Sequence, residues 1–168
     1  MSDMKNNTMK LRYLFLVAVL ALCSCNEDAL PDNVIEDDNK IIIDLTWSID
    51  GEDAPVESAD LDLGIFNSSA STTPRASSEK LGDFESLELS SSVNNSDYFV
   101  KIKAFSIDVN KEVDYFVQVS NSDKSMNLQF SGTIEAGEEV SGLDWSSDQV
   151  VTVVKITKSN NQFTVEGI

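Results

Sequence analysis

Hydrophobic and polar residues alternate along most of this chain in short runs, which turn-forming residues interrupt. The runs are rich in Val, Ile, Phe and Tyr, and their period of two is typical of strands with one buried face. No long stretch has the 3.6-residue period of an amphipathic helix. The pattern predicts about eight strands, at residues 40–48, 60–66, 85–90, 98–107, 112–120, 125–134, 149–157 and 162–166.

The even spacing of these strands predicts an all-β domain over residues 40–168, either a sandwich or a barrel. One inward face per strand is enough to build a single two-layer core. In the fourth strand the alternation separates an apolar face from Lys101 and Lys103, so both lysines are predicted to point to water. The Ser/Thr-rich segment 67–80 is predicted to be a mobile surface loop.

The beginning of the chain departs from this pattern, with an apolar run at residues 13–22 behind a positively charged start. A bilayer-spanning helix needs about 20 residues, so the run instead has the length of a signal-peptide core. Leu22-Cys23-Ser24-Cys25 closes it and resembles the lipobox of bacterial lipoproteins. The resemblance implies cleavage after residue 24 and lipidation of Cys25, whose several acyl chains would anchor the protein stably.

Two other roles for the cysteines are less favourable. Lipidation of Cys23 would place the bulky Leu22 next to the cleavage site, where signal peptidases prefer a small residue. A disulfide between Cys23 and Cys25 would be strained across one intervening residue, and two terminal cysteines cannot staple a core.

The predicted organisation is a signal peptide at 1–24, an acidic tether at 25–39 and a β-sandwich domain at 40–168. Residues 26–39 hold six acids and no base, with too few apolar residues to fold alone. Acids close behind a lipidated cysteine resemble the surface-export signals of some Gram-negative lipoproteins. They imply an outer-membrane location that faces the cell surface, with a periplasm-facing location as the alternative.

The charge of the chain limits its partners. Its formal net charge is −17, and residues 1–24 hold three bases and one acid, so the part from Cys25 onward carries −19. Such a chain repels nucleic acid and anionic membrane surfaces. The expected partners are therefore the membrane, through the lipid anchor, and a protein or a glycan, with no nucleic acid.

A series of short motifs runs through residues 41–120, about half of the chain. In order they are Thr46-Trp47, Asp60-Leu61-Asp62-Leu63, Glu85-Ser86-Leu87-Glu88-Leu89, Tyr98-x-Val100-x-Ile102-x-x-Phe105 and Tyr115-x-Val117-x-Val119. The order resembles bacterial pre-peptidase C-terminal domains, although Asp83-Phe84 stands where that family usually has Gly-Pro. The resemblance implies a single antiparallel two-sheet sandwich, jelly-roll-like, that serves as a non-catalytic accessory module for adhesion, secretion or substrate contact.

The composition argues against an enzyme. The chain has no histidine, which removes Ser-His-Asp and Cys-His catalysis and nearly every catalytic zinc or copper site. Neither a phosphate-binding glycine loop nor a dinucleotide fingerprint is present. A carboxylate pair is able to hydrolyse a glycosidic bond, but among 29 acids some pair is inevitable and carries no weight.

Calcium is the one metal that the sequence suggests as a cofactor, because it takes oxygen ligands. The candidate ligands are Asp50, Glu52 and Asp53 in one turn and Asp60 and Asp62 on one side of a strand. The turn lacks the ordered loop of an EF-hand. The alternative interpretation is therefore a solvated acidic turn and an outward strand face.

Two tryptophans complete the candidate residues. Trp145 lies in the polar segment SGLDWSSD, where an exposed ring would be a platform for stacking a sugar; alternatively it plugs one end of the sandwich. Trp47 lies in an apolar strand and is predicted to be core, as are Tyr98 and Tyr115.

Two hypotheses follow. The first is a non-catalytic envelope lipoprotein whose sandwich contacts a protein or a surface assembly. The second is a carbohydrate-binding module that works beside glycan-degrading enzymes. The second needs an exposed aromatic row, so a buried Trp145 would count against it.

Overall fold

The alternating runs form eleven β-strands within residues 30–108, 110–135 and 140–168, which are the residues that the computed structural model describes. The predicted signal peptide and Cys25 lie outside them. None of the described residues belongs to a helix of the length and apolarity needed to cross a bilayer.

Eight strands correspond to the predicted eight, with ends that differ by no more than two residues. They are β2 (Lys40–Ile49), β3 (Ala59–Phe66), β5 (Phe84–Ser90), β6 (Asp97–Ile107), β7 (Glu112–Asn121), β8 (Asn127–Glu135), β10 (Val150–Ser159) and β11 (Gln162–Gly167). Three short strands are additional, namely β1 (Val34–Glu36), β4 (Ala76–Ser78) and β9 (Val140–Ser141). A single turn of 3₁₀ helix, Pro55–Glu57, precedes β3.

The strands form two separate antiparallel sheets. The larger sheet has the order β1-β11-β10-β6-β3-β4, with β9 also paired to β6, and the smaller sheet has the order β5-β2-β7-β8. The predicted fold class, a two-sheet antiparallel sandwich, is therefore confirmed. Successive strands often change sheet, as β2 and β3 do, so the hydrophobic faces of both sheets are built from residues distant in sequence.

The core lies between the sheets and consists of the inward positions that the alternation predicts. Trp47, Tyr98 and Tyr115 all belong to it, as predicted. The indole Nε1 of Trp47 donates a hydrogen bond to the carbonyl oxygen of Ala59 at 3.2 Å, so this buried polar atom is satisfied. Each fully buried aliphatic side chain, such as Leu61, stabilises the fold by about 1.5–3 kcal/mol relative to exposure.

The N-terminal boundary of the domain requires a correction, because part of the predicted tether at 25–39 is a strand. In β1, Val34 and Ile35 are buried, and they pair with Thr164 and Phe163 of β11. The two apolar residues gain burial and backbone hydrogen bonds only beside this distant strand, so the composition of the segment alone does not predict them. The compact unit begins at Asp32.

Asp37 fixes the corner between β1 and β2. Its Oδ1 accepts hydrogen bonds from the backbone N–H groups of Asn39 and Lys40, at 2.7 and 3.0 Å. Its Oδ2 accepts two more from the N–H and hydroxyl of Ser122, at 2.7 and 2.6 Å. Burial raises the pKa of Asp37, but these hydrogen bonds outweigh it and lower the pKa from 3.8 to about 2.

We expect Asp37→Asn to destabilise the domain by about 1–2 kcal/mol at pH 7, because the N–H and hydroxyl donors lose a charged acceptor. The pKa of Asp37 is lower in the folded chain than in the unfolded chain. Its stabilising contribution is therefore present above about pH 4 and is lost as the pH falls towards 2. Urea unfolding of both proteins should show a difference at pH 7 that shrinks at pH 3. Asp32→Asn, at an exposed acid of the same segment, should have no such effect, and a pH-independent difference at Asp37 would contradict this account.

Candidate binding face

Trp145 is buried, which counts against the alternative in which its ring is an exposed platform for a sugar. Its side chain is 8% exposed and covers the outer face of the larger sheet. The indole Nε1 donates a hydrogen bond to Glu79 Oε1 at 3.0 Å. Its ring meets the Phe66 ring edge-on, with 5.2 Å between the ring centroids. The two loops that carry Trp145 and Glu79 thus close over β3 and β6.

Gly64 makes room for this packing. A Cβ atom at Gly64 would lie 2.7 Å from Cε2 of Phe66 and 2.9 Å from Cη2 of Trp145. A glycine inside a strand often marks a close approach of another group. In the sequence, Gly64 was therefore a signal that another group packs closely against this strand, and in the structure that group is Trp145.

Lys101 and Lys103 are also buried, which corrects the prediction that they point to water. They are 5% and 3% exposed, because the loops around Ser69 and Trp145 cover this face. Lys101 Nζ donates hydrogen bonds to the carbonyl oxygens of Ser69 and Ser71, at 2.8 and 2.7 Å. Part of the predicted mobile loop is therefore held against the sheet.

Lys103 is the centre of a charged cluster in which Asp60 and Asp62 are buried and Glu79 is exposed. Lys103 Nζ lies 2.8 Å from Asp62 Oδ2 and 3.6 Å from Glu79 Oε2. It also lies 4.9 Å from the ring centroid of Trp145, within the range of a cation–π contact. The cation thus holds two strands and two covering loops together.

Burial and neighbouring charge move the acids of this cluster in different directions. Burial raises the pKa of Asp62 to about 6, against the opposing effect of Lys103. Burial and the charge of Glu85 raise the pKa of Asp60. The hydrogen bond from Trp145 lowers the pKa of Glu79, which is closer to solvent. Ionisation of Asp62 therefore costs folding free energy near neutral pH.

The five candidate calcium ligands do not come together in one site. Asp50 and Asp53 are exposed, whereas Glu52 forms an ion pair with Lys111. Asp60 and Asp62 belong to the cluster around Lys103. Within residues 30–108, 110–135 and 140–168, no three His, Cys, Asp or Glu side chains are placed to hold a metal ion.

The outer face of the smaller sheet carries a different arrangement, which we call the binding face. Thr46 of β2 is paired with Phe84 of β5 on one side and with Phe116 of β7 on the other. The two phenylalanines are 49% and 48% exposed. Neighbouring strands lie about 4.8 Å apart, so two strand spacings place the Cα atoms of these residues about 10 Å apart.

Two shallow grooves lie along this row, and Phe116 lines both. One has a volume of about 300 Å³ and runs between Phe84 and Phe116. The other has a volume of about 260 Å³ and lies on the β8 side of Phe116. Polar side chains complete the walls, among them Thr46, Gln118, Gln129, Lys124, Ser131 and Thr133.

The charged groups of the binding face are already engaged. Asp44 accepts a hydrogen bond from the Ser86 hydroxyl at 2.6 Å and forms an ion pair with Lys124 at 3.1 Å. Asp114 accepts a hydrogen bond from the Thr133 hydroxyl at 2.8 Å. What the face offers to a ligand is therefore two aromatic rings and a set of hydroxyl and amide groups.

Sequence reasoning missed this face, although one signal was present. In the strand at 112–120, Val113, Tyr115 and Val117 take the inward positions, so Phe116 lies on the outward face. An aromatic residue at an outward position of an amphipathic strand deserves an explanation. The sequence signal at Phe84 was weaker, because the predicted strand began one residue after it.

No protein-family model matches the chain, and no curated protein or solved structure matches it.

Proposed function

We propose that this protein is a non-catalytic lipoprotein of the outer membrane, anchored through Cys25, whose sandwich acts as a binding module at the cell envelope. The binding face of the smaller sheet is its contact surface. The observation that carries the proposal is the row Phe84-Thr46-Phe116, in which two half-exposed rings flank a polar residue above two grooves.

Two exposed aromatic rings along one groove give a ligand apolar surface to cover. Burial of apolar surface is worth about 25 cal/mol per Å², so a ligand that covers both rings gains free energy that a polar face would not provide. Scattered single apolar residues need no explanation, whereas apolar groups arranged along a groove are typical of a binding site.

The acids of the face support a non-catalytic role. Asp44 is paired with Gln118, which lies four residues from Asp114 along β7. This offset separates the two positions by about 14 Å along the strand, whereas the carboxyl groups of glycosidases lie about 5–10 Å apart. The absence of histidine from the sequence points in the same direction.

The anchor is tested by metabolic labelling with an alkyne fatty acid in a Gram-negative host. We expect the wild-type protein and Cys23→Ala to take up the label and sediment with membranes. Cys25→Ala should lose both properties, because it lacks the thiol that carries the lipid. Labelling of Cys25→Ala at the wild-type level would contradict the assignment.

The binding face is tested by hydroxyl-radical footprinting on intact cells and on the purified protein. We expect Phe84 and Phe116 to be oxidised less on cells, because a ligand covers them. Phe105 is the matched control, since it is 41% exposed on the larger sheet and should react equally in both samples. Equal oxidation of all three residues on cells and in solution would contradict the proposed face.

A further inference from the structure

We infer that the binding face takes a neutral glycan, with Phe84 and Phe116 stacked against sugar rings and Thr46 hydrogen-bonded to hydroxyl groups between them. The inference rests on the proposed function, because it names the ligand class of the same face.

The two rings are positioned for an extended ligand. Phe116 lies in β7, which is paired on both sides with β2 and β8, and Phe84 begins the edge strand β5. Their backbones are therefore held by the sheet, and about 10 Å separates them. A sugar ring presents an apolar C–H face to an aromatic ring, and two rings at this distance contact different sugars of one chain.

The polar groups between and beside the rings match sugar hydroxyls. Gln129 Nε2 and Gln118 Oε1 are 3.4 Å apart, which is long for a hydrogen bond. Both amides therefore keep donors and acceptors for a ligand. Ser131 is paired with Phe116 and adds a hydroxyl at the next strand.

The charge of the face favours a neutral ligand. Lys124 is the base that lines the groove, and it already neutralises Asp44 at 3.1 Å. Asp114 stays on the face, and the chain as a whole carries −17. An anionic glycan, a phosphate group or an anionic lipid surface would meet repulsion there.

A protein partner fits the same face less well. Stable protein interfaces bury at least about 1,000 Å² around an apolar centre. Here the centre of the row is Thr46, and the apolar area is divided between two separate rings. A groove of about 300 Å³ instead matches the lower end of the range for small-ligand sites.

The test measures retention of the purified full-length protein, in detergent, by immobilised polysaccharides. The neutral probes are glucans, mannans, xylans and galactans, and polygalacturonate is the anionic probe. We expect retention by at least one neutral probe and weak retention by polygalacturonate. Phe116→Ala should weaken retention about tenfold or more, because Phe116 lines both grooves and a few aromatic anchors dominate binding. Phe84→Ala should weaken it less, because Phe84 lines one groove.

Phe105→Ala is the control and should leave retention unchanged. All three substitutions are at exposed rings, so thermal unfolding confirms that each variant is folded. Phe116→Trp should preserve retention, since it keeps an aromatic face. Addition of a calcium chelator should have no effect, because the acids of the face are engaged with Lys124, Ser86 and Thr133.

Failure to bind any neutral probe, or binding that Phe116→Ala does not change, would overturn the inference. Footprinting on cells separates this failure from that of the proposed function. Protection of Phe84 and Phe116 on cells without neutral-glycan binding would support the proposed binding face and overturn the glycan inference. The partner at that face would then be a protein. No protection and no glycan binding would overturn both.

Discussion

Lys103→Met should destabilise the sandwich by about 3–5 kcal/mol at neutral pH, because it leaves the Asp62 carboxylate buried without its cation. The two residues are 3% and 2% exposed, and their charged atoms lie 2.8 Å apart. Methionine replaces the aliphatic stem, so the loss reports mainly the uncompensated charge. The change also removes the cation that faces Glu79 and the Trp145 ring.

The stability lost in Lys103→Met should be larger at high pH than at low pH. The pKa of Asp62 is about 6 in the folded protein, above 3.8 in the unfolded chain. The folded chain therefore binds more protons between about pH 4 and 6, and the contribution of this carboxyl to stability falls as the pH rises through that window. Near pH 5 Asp62 is largely neutral, so the loss of Lys103 should cost less there than at pH 8.

Urea unfolding of Lys103→Met, Asp62→Asn and the double variant at both pH values measures these effects. The double variant should recover much of the stability lost in Lys103→Met, because no buried charge remains at position 62. Lys40→Met, which removes an exposed pair with Glu88, is the control and should cost less than about 1 kcal/mol. A Lys103→Met penalty as small as that of the control would contradict the buried pair.

Trp145→Ala is the second substitution with a large expected effect, about 3–5 kcal/mol of lost stability. The indole covers Gly64 and packs edge-on against Phe66. Its removal opens this face to water and removes the indole hydrogen bond to Glu79. The loss should appear in urea unfolding at pH 7.

Trp145→Phe separates packing from hydrogen bonding. It keeps an aromatic ring and loses the indole N–H, so its cost should be about 1–2 kcal/mol. Below the unfolding midpoint, neither variant should change retention on polysaccharide, because Trp145 lies on the sheet opposite the binding face. A stable Trp145→Ala protein that loses glycan retention would restore the indole as the sugar platform.

The strands were predictable because their signal is local. In β3 the alternation of Leu61, Leu63 and Ile65 predicted a strand at 60–66, and the structure has Ala59–Phe66. A period of two reflects the burial of one face, whichever strand is the neighbour. The same reasoning correctly placed Trp47 in the core.

The short strands were not predictable in the same way. Val34 and Ile35 lie in an acid-rich segment and become a strand only beside Phe163 and Thr164 of β11. Three residues are too few to show a period, and their pairing partners are more than a hundred residues away. Proximity in the folded chain therefore decided where the domain begins.

The sequence by itself determined the eight longer strands, their inward faces and the class of fold, because these depend on alternation within each strand. Only the tertiary structure decided which residues on the outward faces are buried and which are exposed. Lys103 and Phe116 both lie opposite an apolar strand face, yet Lys103 is buried and Phe116 is half exposed. The loop with Trp145 covers Lys103 on the larger sheet, whereas the grooves of the smaller sheet stay open. Which loop covers which sheet depends on contacts between distant residues, and alternation within a strand carries no information about them.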